Sequence, residues 1–110
     1  MTDDPKDTLT AREKTYGAFG DVAATAVALK NALTDGVTSR DCSDVQREAL
    51  SMIATKLARI VNGDPDYVDS YRDIAGYALL AIADIEARAE PDKGGTAADW
   101  ADFVPRTRGL

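Results

Sequence analysis

Histidine is missing from the 110-residue chain, and cysteine occurs only once. The lack of histidine excludes a histidine general base, a serine–histidine–aspartate triad and most zinc sites. Cys42 alone cannot form an internal disulfide, which favours a reducing cytoplasm. Any chemistry must therefore use carboxylates, lysine, arginine or tyrosine, together with a hard cation that oxygen atoms hold.

Long apolar runs and an excess of positive charge are lacking too. No stretch approaches the length that spans a bilayer, and the N-terminus, MTDDPKDTLT, lacks the basic-then-apolar order of a secretory signal. We therefore expect a cytoplasmic protein with no membrane partner. A net charge of −6 argues against binding a nucleic-acid backbone. The length suits one domain with a modest core.

Helical periodicity is the pattern that the chain does contain. Thr10 and Glu13 fit a capping box for a short first helical piece. A bend is predicted over residues 16–20, where two glycines weaken the helix. Residues 21–33 have apolar side chains at helical spacing, and Gly36 is predicted to end that helix in the left-handed conformation.

A second main helix is predicted after a polar connection. Ser43 and Gln46 form a further capping box, and Asn62 with Gly63 ends the helix. Between them, apolar residues recur at helical spacing and form one face: Leu50, Ile53, Ala54, Leu57, Ile60 and Val61.

A third main helix is predicted to start directly after Gly63. Asp64 suits the N-cap, Pro65 suits the first helical position, and the helix can run to about Ala89. Its buried face is predicted from spacing as Tyr71, Ile74, Ala75, Ala78, Ile82 and Ile85.

These elements predict an all-α fold, a small helical bundle of three main helices plus short terminal helices. Helices 2 and 3 should form an antiparallel hairpin because their connection is short. We expect a disordered N-terminus over residues 1–9, a bundle domain over residues 10–90, and a C-terminal linker, short helix and tail over residues 91–110. Three apolar residues would dock that last helix on the bundle or on another subunit: Trp100, Phe103 and Val104.

Opposite charges should meet across the predicted hairpin. Its geometry would bring Lys56 and Arg59 near Asp66, Asp69 and Asp73. One interpretation is a set of solvated ion pairs that flank the core. The other is a polar pocket in which carboxylates hold magnesium and the basic side chains contact phosphate.

Two aromatic residues, Tyr16 and Phe19, lie close together near the start of the chain. They either pack in the core or form a stacking wall for a base, with Arg12 and Lys14 near enough to contact phosphate.

Three segments carry a resemblance to known proteins. R-E-x-x-Y-G-x-F at residues 12–19, EALSMIATKLARIVNGDP and YRDIAGYALLA resemble small bacteriophage-borne proteins of uncharacterised function. Those proteins in turn resemble the MazG-like all-α NTP pyrophosphohydrolases. That family implies dimers or tetramers in which E-E-x-x-E on one helix and E-x-x-D on the next bind magnesium. The ion activates water and grips a triphosphate, and the products are NMP and pyrophosphate.

The resemblance places Glu48 in the first motif and Asp73 at the aspartate of the second, with Asp69 adjacent. The sequence departs from the family pattern, since Met52 stands where another acid is expected and Ser70 replaces the second glutamate. Two or three acids remain where the family has four or more, so Mg²⁺ would need extra water and substrate oxygens.

The resemblance therefore implies a nucleotide-binding protein that forms a homo-oligomer, a dimer or a tetramer, in the host cytoplasm if it is phage-encoded. Glu48 and Asp73 would be catalytic and, with Asp69, would bind Mg²⁺. The substrate-binding residues would be Lys56 and Arg59 for phosphate, and Tyr16, Phe19 and Tyr77. Two versions stay open. One is a Mg²⁺-dependent pyrophosphohydrolase of (deoxy)nucleoside triphosphates, and the other is an inactive helical phage accessory protein that binds a host protein or sequesters a nucleotide.

Overall fold

A computed structural model of the protein describes residues 5–89, which contain four α-helices, one short 3₁₀ helix and no strand. The all-α prediction is confirmed. No helix in this part of the chain is both long and apolar enough to cross a membrane. The short C-terminal helix and tail predicted over residues 91–110 lie outside the described residues. The elements are α1 (Pro5–Tyr16), α2 (Phe19–Thr34), the 3₁₀ helix (Ser39–Asp41), α3 (Asp44–Asn62) and α4 (Val68–Ala89).

Helix α1 begins earlier than predicted. It starts at Pro5, whose missing N–H costs nothing in a first helical turn, so residues 5–9 are helical rather than disordered. The capping box at Thr10 is wrong, because Thr10 lies inside α1 and its hydroxyl donates to the carbonyl of Lys6 at 3.0 Å. The predicted bend is confirmed, since residues 17–18 separate α1 from α2.

The predicted left-handed end of α2 at Gly36 is wrong. The cap residue Asp35 is right-handed, with φ −83° and ψ −2°. The N–H of Gly36 donates to the carbonyl of Leu33 at 3.2 Å, so the chain leaves α2 through a tightened right-handed turn. Among the described residues only Gly17 has a positive φ, at +90°.

Helix α3 begins and ends where the sequence predicts, after Ser43 and before Gly63. The hydroxyl of Ser43 accepts the N–H of Gln46 at 3.1 Å, and the side-chain oxygen of Gln46 accepts the N–H of Ser43 at 2.8 Å. Gly63 caps the other end, where its N–H donates to the carbonyl of Arg59 at 2.9 Å. Both ends of the central helix are therefore specified by local sequence.

The predicted start of α4 at Asp64-Pro65 is wrong. A carboxylate oxygen of Asp64 accepts the N–H of Asp66 at 2.9 Å, and its carbonyl accepts the N–H of Tyr67 at 3.2 Å. Asp64 therefore caps a turn of the connection, and α4 begins three residues after Pro65, at Val68.

Helix α3 lies between α2 and α4. On the α2 side, Ala58 packs with Val22 and Ala26 in the buried cluster. On the α4 side, the predicted antiparallel hairpin is confirmed by two contacts at opposite ends. The hydroxyl of Ser43, at the start of α3, donates to Asp84 at 2.7 Å near the end of α4. Further along, Lys56 pairs with Asp73 at 3.0 Å.

The predicted buried face of α4 is wrong within the protomer. Tyr71, Ala75, Ala78 and Ile85 are exposed, and Ile74 and Ile82 are half-buried. The buried residue of α4 is instead Ser70. Helix α4 contacts α3 through the stripe that contains Ser70, Asp73 and Asp84, so its apolar stripe is turned away from α3 by about one residue, or about 100°.

The corner between α1 and α2 meets the corner between α3 and α4 at two glycines. The N–H of Asp64 donates to the carbonyl of Thr15 at 2.9 Å. A Cβ on Gly17 would lie 2.5 Å from the carbonyl oxygen of Asn62, and a Cβ on Gly63 would overlap the carbonyl oxygen of Thr15. Only glycine allows the two backbones to approach this closely.

We expect Gly17→Ala and Gly63→Ala each to lower the free energy of unfolding by about 1–3 kcal/mol, because the added methyl group meets backbone that cannot move aside. Gly76→Ala is the matched control, since a Cβ there meets nothing within 4 Å. That change lies inside α4 and should raise stability by about 0.5–1 kcal/mol. Urea unfolding of the three variants measures both effects. Equal effects at Gly17 and Gly76 would contradict the close corner contact.

We expect Asp84→Asn to lower the melting temperature at neutral pH. The hydrogen bond from Ser43, followed by that from Arg88 at 3.0 Å, lowers the pKa of Asp84. The charged form is therefore favoured by folding. This stabilisation is present above the unfolded-state pKa of about 3.9 and is lost as pH falls through the folded-state pKa.

Thermal melts at pH 7 and in acid check this expectation, and the difference between wild type and Asp84→Asn should close in acid. Asp69→Asn is the control, since Asp69 pairs with Arg72 on the exposed surface of α4. It should change the melting temperature little at either pH. A wild-type advantage over Asp84→Asn that persists in acid would argue against the charged hydrogen bond.

Candidate functional site

Two arginine side chains contact the ring of Tyr16, the last residue of α1. The guanidinium carbon of Arg12 lies 5.0 Å from the centroid of its ring, and that of Arg59 lies 4.9 Å from it. Arg12 reaches the ring because it precedes Tyr16 by one helical turn. Arg59 reaches it from the last turn of α3, which the glycine contact brings against the end of α1. The ring thus gathers positive charge from two helices.

A second tyrosine completes the contacts of Tyr16. The Tyr67 ring, from the α3–α4 connection, meets it edge to face with the centroids 5.6 Å apart and the planes at 89°. Hydrogen bonding to Tyr16 is the main cause that raises the pKa of Tyr67 to about 12, and Asp69 adds to it. The Tyr67 phenol therefore stays protonated at neutral pH.

The two arginines border a cleft of about 420 Å³ between α1, α2 and α3. Its volume lies in the usual range for small-molecule sites. Three cations line it, Arg12, Lys30 and Arg59, against one carboxylate, that of Glu13. Apolar side chains form much of the remaining wall: Leu9, Phe19, Val22, Ala23, Ala26 and Val27.

The cations of the cleft have no carboxylate partner among residues 5–89. Within residues 5–89, no carboxylate lies within 4.0 Å of the charged nitrogens of Arg12, Lys30 or Arg59. The ion pairs of this part of the chain all involve α4, which does not line the cleft. The cleft is therefore suited to an anion from solution.

Phe19 is the exposed aromatic residue at this site. It is the first residue of α2, lines the cleft, and is 82% exposed. Of the two interpretations left open for this aromatic pair, burial in the core is therefore excluded for Phe19. An exposed ring beside paired guanidinium groups can stack on a flat ligand.

The structure brings together some of the predicted substrate-binding residues. Tyr16, Phe19 and Arg59 line one cleft, and Arg12 joins them. Lys56 does not line the cleft. Its side chain is 13% exposed, and its ammonium group pairs with Asp73 at 3.0 Å. The ion-pair interpretation therefore describes Lys56 and Asp73.

The acids predicted to bind magnesium lie in three different settings. Glu48 and Tyr77 line a separate apolar pocket of about 300 Å³ between α3 and α4. Asp73 pairs with Lys56, and Asp69 pairs with Arg72 at 3.1 Å. In the described part of the chain, no three acidic, histidine or cysteine side chains converge as a ligand set. Magnesium binding stays a prediction.

Sequence reasoning missed Lys30 and Glu13. Lys30 follows Phe19 by eleven residues, about three helical turns, so both lie on the side of α2 that faces the cleft. That spacing is visible in the sequence. The missing information was the position of α1, which turns this side of α2 into a wall of a cleft.

The fold and the cleft define a small all-α protein with a cationic, partly aromatic site. A family model matches residues 3–84, and the chain belongs to that family, which is described as a domain of unknown function (DUF6378). The match includes every residue that lines the cleft. No curated protein and no solved structure matches the chain. The likeness to MazG-like enzymes and to phage proteins stays a prediction.

We expect Tyr16→Phe to lower the pKa of Tyr67 from about 12 towards the ordinary value of about 10, because it removes the hydrogen-bonding hydroxyl and keeps the ring. Tyr71→Phe is the control, since the Tyr71 hydroxyl donates to the carbonyl of Pro65 instead. NMR titration of carbon-13-labelled tyrosine measures the pKa of Tyr67 in both variants. If Tyr67 still titrates near 12 in Tyr16→Phe, the hydrogen bond is not the cause.

Proposed function

We propose that this protein binds a nucleotide in the cleft between α1, α2 and α3, with the phosphates at Arg12 and Arg59 and the base beside Phe19. One observation carries the proposal. Two guanidinium groups lie within 5.0 Å of the centroid of one tyrosine ring, at the wall of a 420 Å³ cleft. The resemblance to nucleotide pyrophosphohydrolases points to the same class of ligand.

Phosphate is the anion that suits this pair of arginines best. Each guanidinium can donate two parallel hydrogen bonds to phosphate oxygens. Both groups contact the same ring, so their charges are held near each other and repel. A polyanion between them removes this repulsion, and Lys30 adds a third charge on the α2 side.

We place the base beside Phe19 alone, whereas the sequence predicts a site that both Tyr16 and Phe19 border. The Tyr16 ring already contacts Arg12, Arg59 and Tyr67, so its surface is largely occupied. We assign Tyr16 the task of positioning the two guanidinium groups. Phe19 keeps its predicted role, because its exposed ring and the apolar side chains of α2 form a wall on which a base can stack.

Hydrolysis of the triphosphate is the more specific prediction, and the described residues do not fit its metal. Asp73 and Asp69 each neutralise a basic side chain of their own, and Glu48 lies in a separate pocket. We therefore derive no step through magnesium. Binding by guanidinium groups needs no metal, and this favours the version in which the protein sequesters a nucleotide.

Self-association and a cytoplasmic location belong to the same proposal. A lone cysteine suits a reducing compartment, where nucleotides are abundant. Exposed apolar side chains on α3 and α4 support a homo-oligomer. A host protein is the other partner that the sequence predicts.

Isothermal titration of the full chain with a panel of NTPs and dNTPs, with and without Mg²⁺, tests the binding. We expect Arg12→Gln and Arg59→Gln each to weaken binding about tenfold or more, since each removes a charged hydrogen bond of about 1.5–3 kcal/mol. Arg72→Gln is the matched control, because Arg72 pairs with Asp69 on α4. The absence of binding by wild type, or an equal loss in Arg72→Gln, would reject the site.

Pyrophosphate release in the same samples tests the enzymatic version. We expect binding without release, and an affinity that does not depend on Mg²⁺. Release that needs Mg²⁺ and is lost in both Glu48→Gln and Asp73→Asn would instead support the MazG-like assignment. Gln46→Glu, which adds an acid at the start of α3, is the control for a general effect of charge on that helix.

A further inference from the structure

We infer that a second copy of this chain packs on an exposed apolar surface that runs along α3 and α4. We call it the hairpin face and define it by Leu50, Leu57 and Val61 on α3 and Tyr71, Ala78 and Ile85 on α4. Leu57 is 41% exposed, Val61 69%, Tyr71 48% and Ile85 45%. This inference rests on the self-association proposed above, for which it names the surface, and it uses no residue of the nucleotide cleft.

The contacts of α3 show which way this face points. Lys56 faces α4, where it pairs with Asp73, and Ala58 faces α2 in the buried cluster. Leu57 lies between them in sequence, so it points out of the layer of three helices, about 100° from each neighbour. Thr55 and Arg59 point to the opposite side, where they line the nucleotide cleft.

The same argument places the α4 residues on the side of Leu57. Leu80 lines the pocket with Glu48 and Tyr77, next to the stripe of α4 that contacts α3. Tyr71, Ala78 and Ile85 recur at helical spacing on the other side of that stripe. The α3 and α4 stripes therefore form one continuous surface, and the cleft and the Glu48 pocket lie behind it.

The hairpin face is suited to a second copy because an uncharged apolar surface can meet its own copy without charge repulsion. The chain has a net charge of −6, yet the six residues that define the face carry no charge. A two-fold axis would pack two antiparallel hairpins into a four-helix bundle. The exposed fractions correspond to on the order of 600 Å² per copy, so the pair would bury about 1,200 Å², the lower end of stable interfaces.

The small size of the residues buried in the protomer also indicates that a further layer of helices packs on it. Its buried apolar residues are four alanines, Val22 and Ile60, and no large side chain within the described residues is fully buried. Five large apolar side chains of α3 and α4 lie instead exposed on the hairpin face: Leu50, Leu57, Val61, Tyr71 and Ile85. Residues 90–110 are a poor alternative cover, since their sequence offers few large apolar side chains, chiefly Trp100, Phe103 and Val104, for a face that runs about 21 Å along α4.

Light scattering coupled to size exclusion, on the full chain at micromolar concentration, tests the inference. We expect a mass of twice the 11.7 kDa chain. Leu57→Glu and Ile85→Glu should each shift the chain to monomer, because each copy would bury one carboxylate and the dimer therefore two. Leu80→Glu is the matched control, since Leu80 is also half-exposed on α4 but lies off the face, and it should stay dimeric.

Three outcomes would overturn the inference. Wild type could run as a monomer, both face variants could stay dimeric, or Leu80→Glu could dissociate as readily as they do. A monomeric wild type whose single tryptophan, Trp100, changes its fluorescence in Ile85→Glu would assign the face to the C-terminal segment. Circular dichroism of each variant checks that it remains helical, so a loss of dimer cannot be confused with unfolding.

Discussion

The contact between two glycine corners determines the arrangement of the rest of the molecule. Gly17 and Gly63 let the ends of α1 and α3 approach until Asp64 can donate to the carbonyl of Thr15 at 2.9 Å. This contact places Tyr16 beside Arg59 and beside Tyr67. With a larger residue at either corner, α1 would stand away from α3, and the cleft would lose one wall.

The hairpin separates charges by side. On α4, Asp73, Asp69 and Asp84 pair with Lys56, Arg72 and Arg88. Around Tyr16 the cations have no such partners in the described part of the chain. An acidic protein thus keeps a local cationic site, and local charge matters more than net charge for a small anion.

The two sides of the layer formed by α2, α3 and α4 carry different surfaces. The side with α1 carries the cleft, and the opposite side carries the hairpin face. Alanine at the helix contacts brings α3 close to α2 and α4 but buries little area for each residue. Several larger apolar side chains of α3 and α4 therefore stay exposed on the hairpin face.

The sequence by itself determined the all-α class, the ends of α3 and the antiparallel hairpin. These follow from caps, periodicity and residue chemistry within a few turns. Only the tertiary structure decided that the polar stripe of α4 faces α3, that Lys56 forms an ion pair with Asp73, and that two arginine side chains contact the Tyr16 ring. Spacing shows which residues share a face of a helix, whereas the partner of that face depends on contacts between residues far apart in sequence, such as Ser43 with Asp84 and Gly63 with Thr15.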